Sequence, residues 1–197
     1  LNFSTQKTMR LAQQLYEGVD IKGEGTIGII TYLRTDSTRI AEEADQAARA
    51  FIGETYGQEY VASEEKDKKS TAKIQDAHEA IRPTNIALSP TRVKESLSRD
   101  QFRLYQLIWK RFAASRMQNA RYETIQVKID AGKYRFTSSS SKVAFDGFLA
   151  VYADDEKPES SAAVQKLTKD SVLKAEAFQP KQHFTQPPAH YTEASLV

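Results

Sequence analysis

SRDQFRLYQLIWKRFAASRM, residues 98–117, runs directly into QNARYETIQVKIDAGKYRF, residues 118–136, and the hydrophobic period changes between the two. In the first stretch Phe102, Tyr105, Ile108, Trp109 and Phe112 recur at the spacing of one helix face. Ser98 and Gln101 form the capping-box pattern that opens a helix, here predicted to continue through Met117. In the second, Ile125, Val127 and Ile129 alternate with polar residues, and Tyr134 and Phe136 resume the alternation beyond an Asp130-Ala-Gly132-Lys turn. That is the pattern of a hairpin. An α+β fold is predicted, mainly helical up to about residue 118 and antiparallel β after it.

Toward the N-terminus the helical period dominates. Ser4 is an N-cap, Thr8, Leu11, Ala12, Leu15 and Tyr16 make an apolar stripe, and Gly18 is a stop. Gly23, Gly25 and Gly28 interrupt before a β-branched run, Ile27 to Leu33, predicted as a strand with Ile30, Tyr32 and Arg34 on one face. Ile40, Ala44, Ala47, Ala48 and Phe51 predict a helix that Gly53 ends, and residues 62–75 read as a charged, solvated loop. A short helical piece closed by Pro83 follows, then Ser89-Pro90 as an N-cap with Pro at the first helical position. After the hairpin, the apolar runs Phe148 to Tyr152 and Val172 to Ala175 continue the β-rich segment around a Ser- and acid-rich loop at 153–163. Pro187-Pro188 leads to the first turn of a last helix at Thr192 to Val197. The division expected is 1–118, 119–187 and 188–197, with no internal repeat. An opening at Leu1 without Met and an end inside a helical turn read as cuts in a longer chain.

Composition narrows the function classes. The 197 residues carry 28 Lys and Arg against 26 Asp and Glu, three His and no Cys. Zero Cys removes disulfides, zinc ribbons and thiol nucleophiles, and the His content without an H-E-x-x-H pattern argues against a zinc site. Nothing approaches the roughly 20 consecutive apolar residues of a membrane span, and no basic start with an apolar core resembles a signal peptide. A cytoplasmic protein without membrane contact is expected. A formal net charge of +2 says little about nucleic acid, because the signal there is a basic face.

Two clusters bear chemistry. Ile27-Gly-Ile-Ile-Thr-Tyr-Leu-Arg-Thr-Asp-Ser-Thr38 places a phenol, then a guanidinium two residues on, then Thr, Asp and Ser. A free phenol, with a pKa near 10, is a poor nucleophile at neutral pH and needs a positive neighbour or a base. Arg34 is placed to be that neighbour, and its planar fork suits two phosphate oxygens. The combination fits attack on a phosphodiester. The plainer alternative is a packed Tyr32, a surface Arg34, and capping by Thr35 to Thr38. In Gln75-Asp-Ala-His-Glu-Ala-Ile-Arg-Pro83 a helical spacing would put His78 and Arg82 on one face, able to grip a phosphate. There the plainer alternative is a solvated helix with Glu79 or Asp76 paired to Arg82. His183 and His190 read as surface or packing residues, Trp109 as core, and Asp154-Asp155-Glu156 as a solvated run. No G-x-x-x-x-G-K-[ST] loop supports nucleotide-driven chemistry.

Together, Gly28-Ile-Ile-Thr-Tyr-Leu-Arg-Thr-Asp-Ser37, Ala77-His-Glu-Ala-Ile-Arg-Pro83 and Phe184-Thr-Gln-Pro-Pro-Ala-His-Tyr-Thr-Glu-Ala-Ser-Leu-Val197 resemble the type IA DNA topoisomerases, the bacterial topoisomerase I group in particular. Leu1 to Glu17 and Leu104 to Phe112 resemble the same family, in the right order. The resemblance implies that Tyr32 matches the nucleophile that joins the 5′ phosphate of a cleaved single strand. Arg34 then matches an adjacent DNA-contacting Arg, His78 a His facing the scissile phosphate, and Arg82 a phosphate-proximal, DNA-binding position. It implies a helix-turn-helix-like gate domain over 1–118 and part of a β-rich arch over 119–187. Mg²⁺ would belong to a Toprim domain that this chain lacks, with no metal expected here. The implied partner is DNA, single-stranded at the cleavage site, and the implied state is a monomer. Exchanging one phosphodiester for another conserves bond energy, so ATP is not needed. The sequence departs from the family at Ala189-His190, where many members carry Arg after the Pro pair, and His190 is given no DNA contact. Two competing readings are a helix-turn-helix regulator reading a duplex groove and a structural domain with no DNA affinity.

Overall fold

The structure, a computed structural model, describes residues 1–63, 78–152 and 167–196. The expected loops at 62–75 and 153–163 therefore lie almost wholly outside the described residues, as does Asp154-Asp155-Glu156. Helices and short antiparallel strands together make an α+β fold. The chain divides into two compact units, one of Leu1–Arg121 with the stretch that begins at Phe145, the other of Tyr122–Ala144 with the C-terminal stretch.

In the helical unit, α1 (Thr5–Glu17) starts where Ser4 Oγ accepts from the Lys7 N–H, and it ends at Gly18, whose φ of +141° few side-chain-bearing residues adopt. Its Leu11, Ala12 and Leu15 are buried. A tight hairpin follows, β1 (Val19–Ile21) against β2 (Gly25–Ile27), with Val19 opposite Ile27 and Ile21 opposite Gly25. Helix α2 (Glu42–Thr55) begins later and ends later than the apolar stripe predicted: Ile40 precedes it and Gly53 lies within it. A Cβ at Gly53 would press on the Gln58 side-chain amide, so Gly serves close approach there and not termination.

Pro90 opens the short α3 (Pro90–Val93) after Ser89. Helix α4 (Arg99–Ser115) carries the full capping box between Ser98 and Gln101 and stops at Arg116, just short of the predicted end. Tyr105 and Trp109 are buried on it, and each spends its polar atom on a backbone carbonyl, Tyr105 Oη on Leu88 at 2.7 Å and Trp109 Nε1 on Ile86 at 2.8 Å. Burial accordingly raises the pKa of the Tyr105 phenol far above its ordinary value. The core joins α1, α2 and α4 through Leu15, Ile52, Tyr105, Phe112 and Met117. Phe148 to Tyr152, expected as β structure, form a 3₁₀ turn over Gly147–Tyr152 whose Val151 enters this core. The cause is a contact with the end of the α4 region: the Phe148 N–H bonds to the Gln118 carbonyl, and Gly147 sits at a φ of +50° where an added Cβ would meet the backbone of Gln118 and Asn119.

The second unit contains the predicted hairpin, β3 (Arg121–Ala131) and β4 (Tyr134–Phe145), joined through Gly132 at a φ of +61°. Arg135 grips Asp130 across the turn with Nε and Nη2 at 2.6 and 3.2 Å. Val172 to Ala175 form no strand, and Val172 is almost fully exposed. His183 and His190 are exposed, and the final helical turn, α5, covers Glu193–Leu196.

Candidate active site

The segment after β2 crosses the helical unit under two sets of main-chain bonds. The Ile29 N–H donates to the Leu15 carbonyl at the end of α1, and a Cβ at Gly28 would overlap the Tyr16 carbonyl oxygen, so only Gly permits this approach. On the other side the segment pairs with residues 80–84. Ile30 and Pro83 make an antiparallel bridge, the Thr31 N–H donates to Arg82 O at 2.9 Å, and the Thr84 N–H donates to Ile29 O at 3.0 Å.

Because it is covered from both sides, Ile29 and Ile30 are both fully buried. The face predicted for Ile30, Tyr32 and Arg34 therefore does not exist: regular strand ends at Ile27, Ile30 belongs to the core, and the chain turns outward so that Tyr32 is 52% exposed. The Tyr32 ring meets the Tyr16 ring edge-on, centroids 5.2 Å apart, and its hydroxyl makes no hydrogen bond to a described residue.

Arg34 and His78, 44 residues apart in sequence, meet beside that segment, with Arg34 Nη1 3.5 Å from His78 Nε2. Asp36 lies between them. Its Oδ2 is 2.6 Å from Arg34 Nε and 3.6 Å from His78 Nδ1. In that arrangement Nε2 faces a donor and Nδ1 faces a carboxylate, so a hydrogen on Nδ1 suits both neighbours. Ser37 Oγ donates to the His78 carbonyl at 2.8 Å and accepts from the Arg39 N–H at 3.1 Å. All three side chains remain about half accessible at this point.

Residues 78–83 are not helical, so His78 and Arg82 do not share a helix face. Pro83 disfavours helical geometry at Arg82, and the backbone bonds of Arg82 go to Thr31. Arg82 points inward, its side chain only 10% exposed. Its guanidinium donates to Glu79 Oε2 at 2.8 Å through Nη2 and to the Pro83 carbonyl at 2.9 Å through Nη1. The Glu79 pairing set out in the plainer alternative is formed, though not on a helix. The capping role of Thr35 to Thr38 is not taken up either. Ala41 is the N-cap of α2 and has no side-chain cap of its own; Glu79 Oε1, from 38 residues away, accepts the Ala41 N–H at 2.6 Å.

The sequence reading missed Tyr16 and Glu79 as parts of the site. Each touches a singled-out residue or its neighbour from a distant part of the chain. The only local signals were their places in Leu-Tyr-Glu17 and His-Glu79. Among the described residues no group of three or more His, Asp or Glu could hold a metal ion.

The exposed Tyr32 thus stands two residues before Arg34 in the chain, and Arg34 meets His78 from a distant segment. Over residues 1–197 the sequence matches the model of a family described as DNA topoisomerase. The chain belongs to that family. Among solved structures it is similar to full-length topoisomerase I from Thermotoga maritima, at 44% sequence identity and a TM-score of 0.67. That match covers 80% of this chain and 25% of the Thermotoga chain, so the chain spans a quarter of its relative's length. The resemblance to the bacterial type IA topoisomerases, carried by Tyr32-Leu-Arg-Thr-Asp-Ser37 and His78-Glu-Ala-Ile-Arg-Pro83, accords with both matches. No helix among the described residues is long and apolar enough to cross a membrane.

Proposed function

We propose that this chain is the nucleophile-bearing part of an ATP-independent type IA topoisomerase that relaxes negatively supercoiled DNA. The observation that carries the reading is the meeting of Arg34 and His78 two residues along the chain from the exposed Tyr32. In the forward step the Tyr32 phenolic oxygen attacks a phosphodiester of a single strand, forming a P–O bond to the 5′ phosphate. The P–O3′ bond breaks, and the proton lost by the phenol is gained by the departing 3′ oxygen, which leaves as a hydroxyl. The reverse exchange reseals the strand without external energy.

Arg34 binds nonbridging oxygens and offsets the charge that grows on them, and His78 faces the same phosphate. Arg82 has no phosphate contact in this reading, because its side chain is turned inward and both terminal nitrogens are engaged internally. In the parent enzyme Mg²⁺ is expected on a Toprim domain outside this chain. No step here is assigned to it, since the described residues offer no set of ligands. The parent is expected to be a cytoplasmic monomer. The chain by itself is expected to be inactive.

The test uses the parent enzyme and its Tyr32→Phe variant with an end-labelled single-stranded oligonucleotide. After denaturation, label should migrate with protein in the wild type and not in the variant. Absence of adduct from both, with DNA binding retained, would favour a binding module.

A further inference from the structure

We propose that Glu79 and Arg82 are positioning residues: their buried ion pair sets where the His78 imidazole stands relative to the segment that carries Tyr32. The proposal rests on the reading of Tyr32 as nucleophile.

Three sets of bonds converge on residues 79–82. On the nucleophile side, Thr31, the residue before Tyr32, donates its N–H to Arg82 O and its Oγ1 to Ala80 O at 2.7 Å, and accepts the Arg82 N–H on Oγ1 at 2.9 Å. On the helix side, the Ala80 N–H donates to Arg39 O at 2.7 Å and the Ala41 N–H donates to Glu79 Oε1 at 2.6 Å. Between them the Arg82 fork spans Glu79 Oε2 and the Pro83 carbonyl. Glu79 therefore ties the start of α2 to the residue next to His78, and Arg82 ties Glu79 to the segment next to Tyr32. Cutting the pair removes the side-chain tie between these two references, while the main-chain bonds and the Ser37 bond to the His78 carbonyl remain.

The chemistry of the pair favours direction over stability. Buried ion pairs are often matched or exceeded in stability by apolar residues of the same volume. Among the described residues this one also leaves Arg82 Nε buried without a hydrogen-bond partner, which adds a desolvation cost. What a guanidinium–carboxylate pair supplies in return is a fixed angle and distance, since its planar fork engages two acceptors.

The experiment uses the full-length parent enzyme carrying His78→Ala, Glu79→Gln, Arg82→Met, and the doubles His78→Ala/Glu79→Gln and His78→Ala/Arg82→Met. Glu79→Gln keeps an acceptor for Ala41 while losing the charge. Arg82→Lys, which keeps charge and stem but loses the fork, stands in if Arg82→Met does not fold. Adduct formation is followed in single turnover at saturating labelled single-stranded oligonucleotide, and affinity is titrated at several salt concentrations. Glu79→Gln and Arg82→Met should each slow adduct formation about 10- to 100-fold, the scale on which a small misplacement of a reacting group acts. Affinity and salt slope should be unchanged, and in the His78→Ala background each should cost less than about twofold more, as expected of residues acting through one group. Overturning results are weaker binding by Arg82→Met with a salt slope shallower by about one, which marks a phosphate contact, or single effects that multiply in the His78→Ala background, which marks general damage. Failure of the Tyr32 reading shows separately, as no adduct in the unmutated enzyme, and overturns both.

Discussion

Asp36 shares one carboxylate oxygen between Arg34 and His78, so the two groups most useful to a phosphate are held together by a group of the same sign as the phosphate. That opposition predicts a split phenotype. In the parent enzyme Asp36→Asn should bind a single-stranded oligonucleotide more tightly, because a negative charge is removed. Adduct formation at saturation should fall about tenfold, because Arg34 and His78 lose their common anchor; equal changes in both would contradict the arrangement. Tyr32 and Arg34 stood out in the sequence because a phenol and a guanidinium fall close together, and Glu79 was legible only as a partner for Arg82, because its bond to the Ala41 N–H is set by folding. The helix face read for His78 and Arg82 is absent because the backbone of that segment pairs with Thr31.

Elements whose signals are local were the legible ones. Ser4 and Ser98 cap α1 and α4, Gly18 stops α1, and Gly132 turns the long hairpin as their residue types require. Ser98→Ala should cost about 1 kcal/mol, the usual worth of such a cap, seen as a fall of a few degrees in melting temperature. The segment after Ile27 was not legible as a strand because its partners are the end of α1 and residues 80–84, one on each side, and the alternation of a half-buried strand is lost. Gly28→Ala tests that crowding. The added methyl meets the backbone oxygen of Tyr16, which has no rotamer to yield, and a loss of about 1–3 kcal/mol is expected, as for overpacking. Retained melting temperature would show that the two segments separate easily.

At the scale of the molecule, Asp45 links α2 to the end of α4. Its carboxylate accepts from Arg49 Nε at 2.5 Å and from Arg116 Nη1 at 2.9 Å, and Arg49 Nη1 also donates to the Ala62 carbonyl. Burial raises the Asp45 pKa, but the hydrogen bonds and charges of the two Arg outweigh it, and the net shift is below the ordinary value of 3.8. A carboxylate depressed in the folded state contributes stability at pH above its unfolded value and loses it as pH falls through the folded one. Asp100, bonded by Lys7, and Asp130, bonded by Arg135, shift the same way from exposed positions. Stability should therefore decline below about pH 4, and in Asp45→Asn that decline should be shallower from a lower plateau. An unchanged acid limb in a chemical-denaturation series would remove Asp45 from the account.

The ladder between Thr31 and residues 80–84 has a mechanical consequence on the topoisomerase reading. A severed DNA end held on the Tyr32 oxygen pulls on the chain wherever Tyr32 is attached, and the residue before it is bound by main chain and side chain to Ala80 and Arg82. Tension along the DNA is thus shared among several backbone bonds loaded together, and through the Ile29 bond it reaches α1. On that reading the attachment point would behave as a rivet through two plates, keeping an end held under load beside the segment that begins at His78.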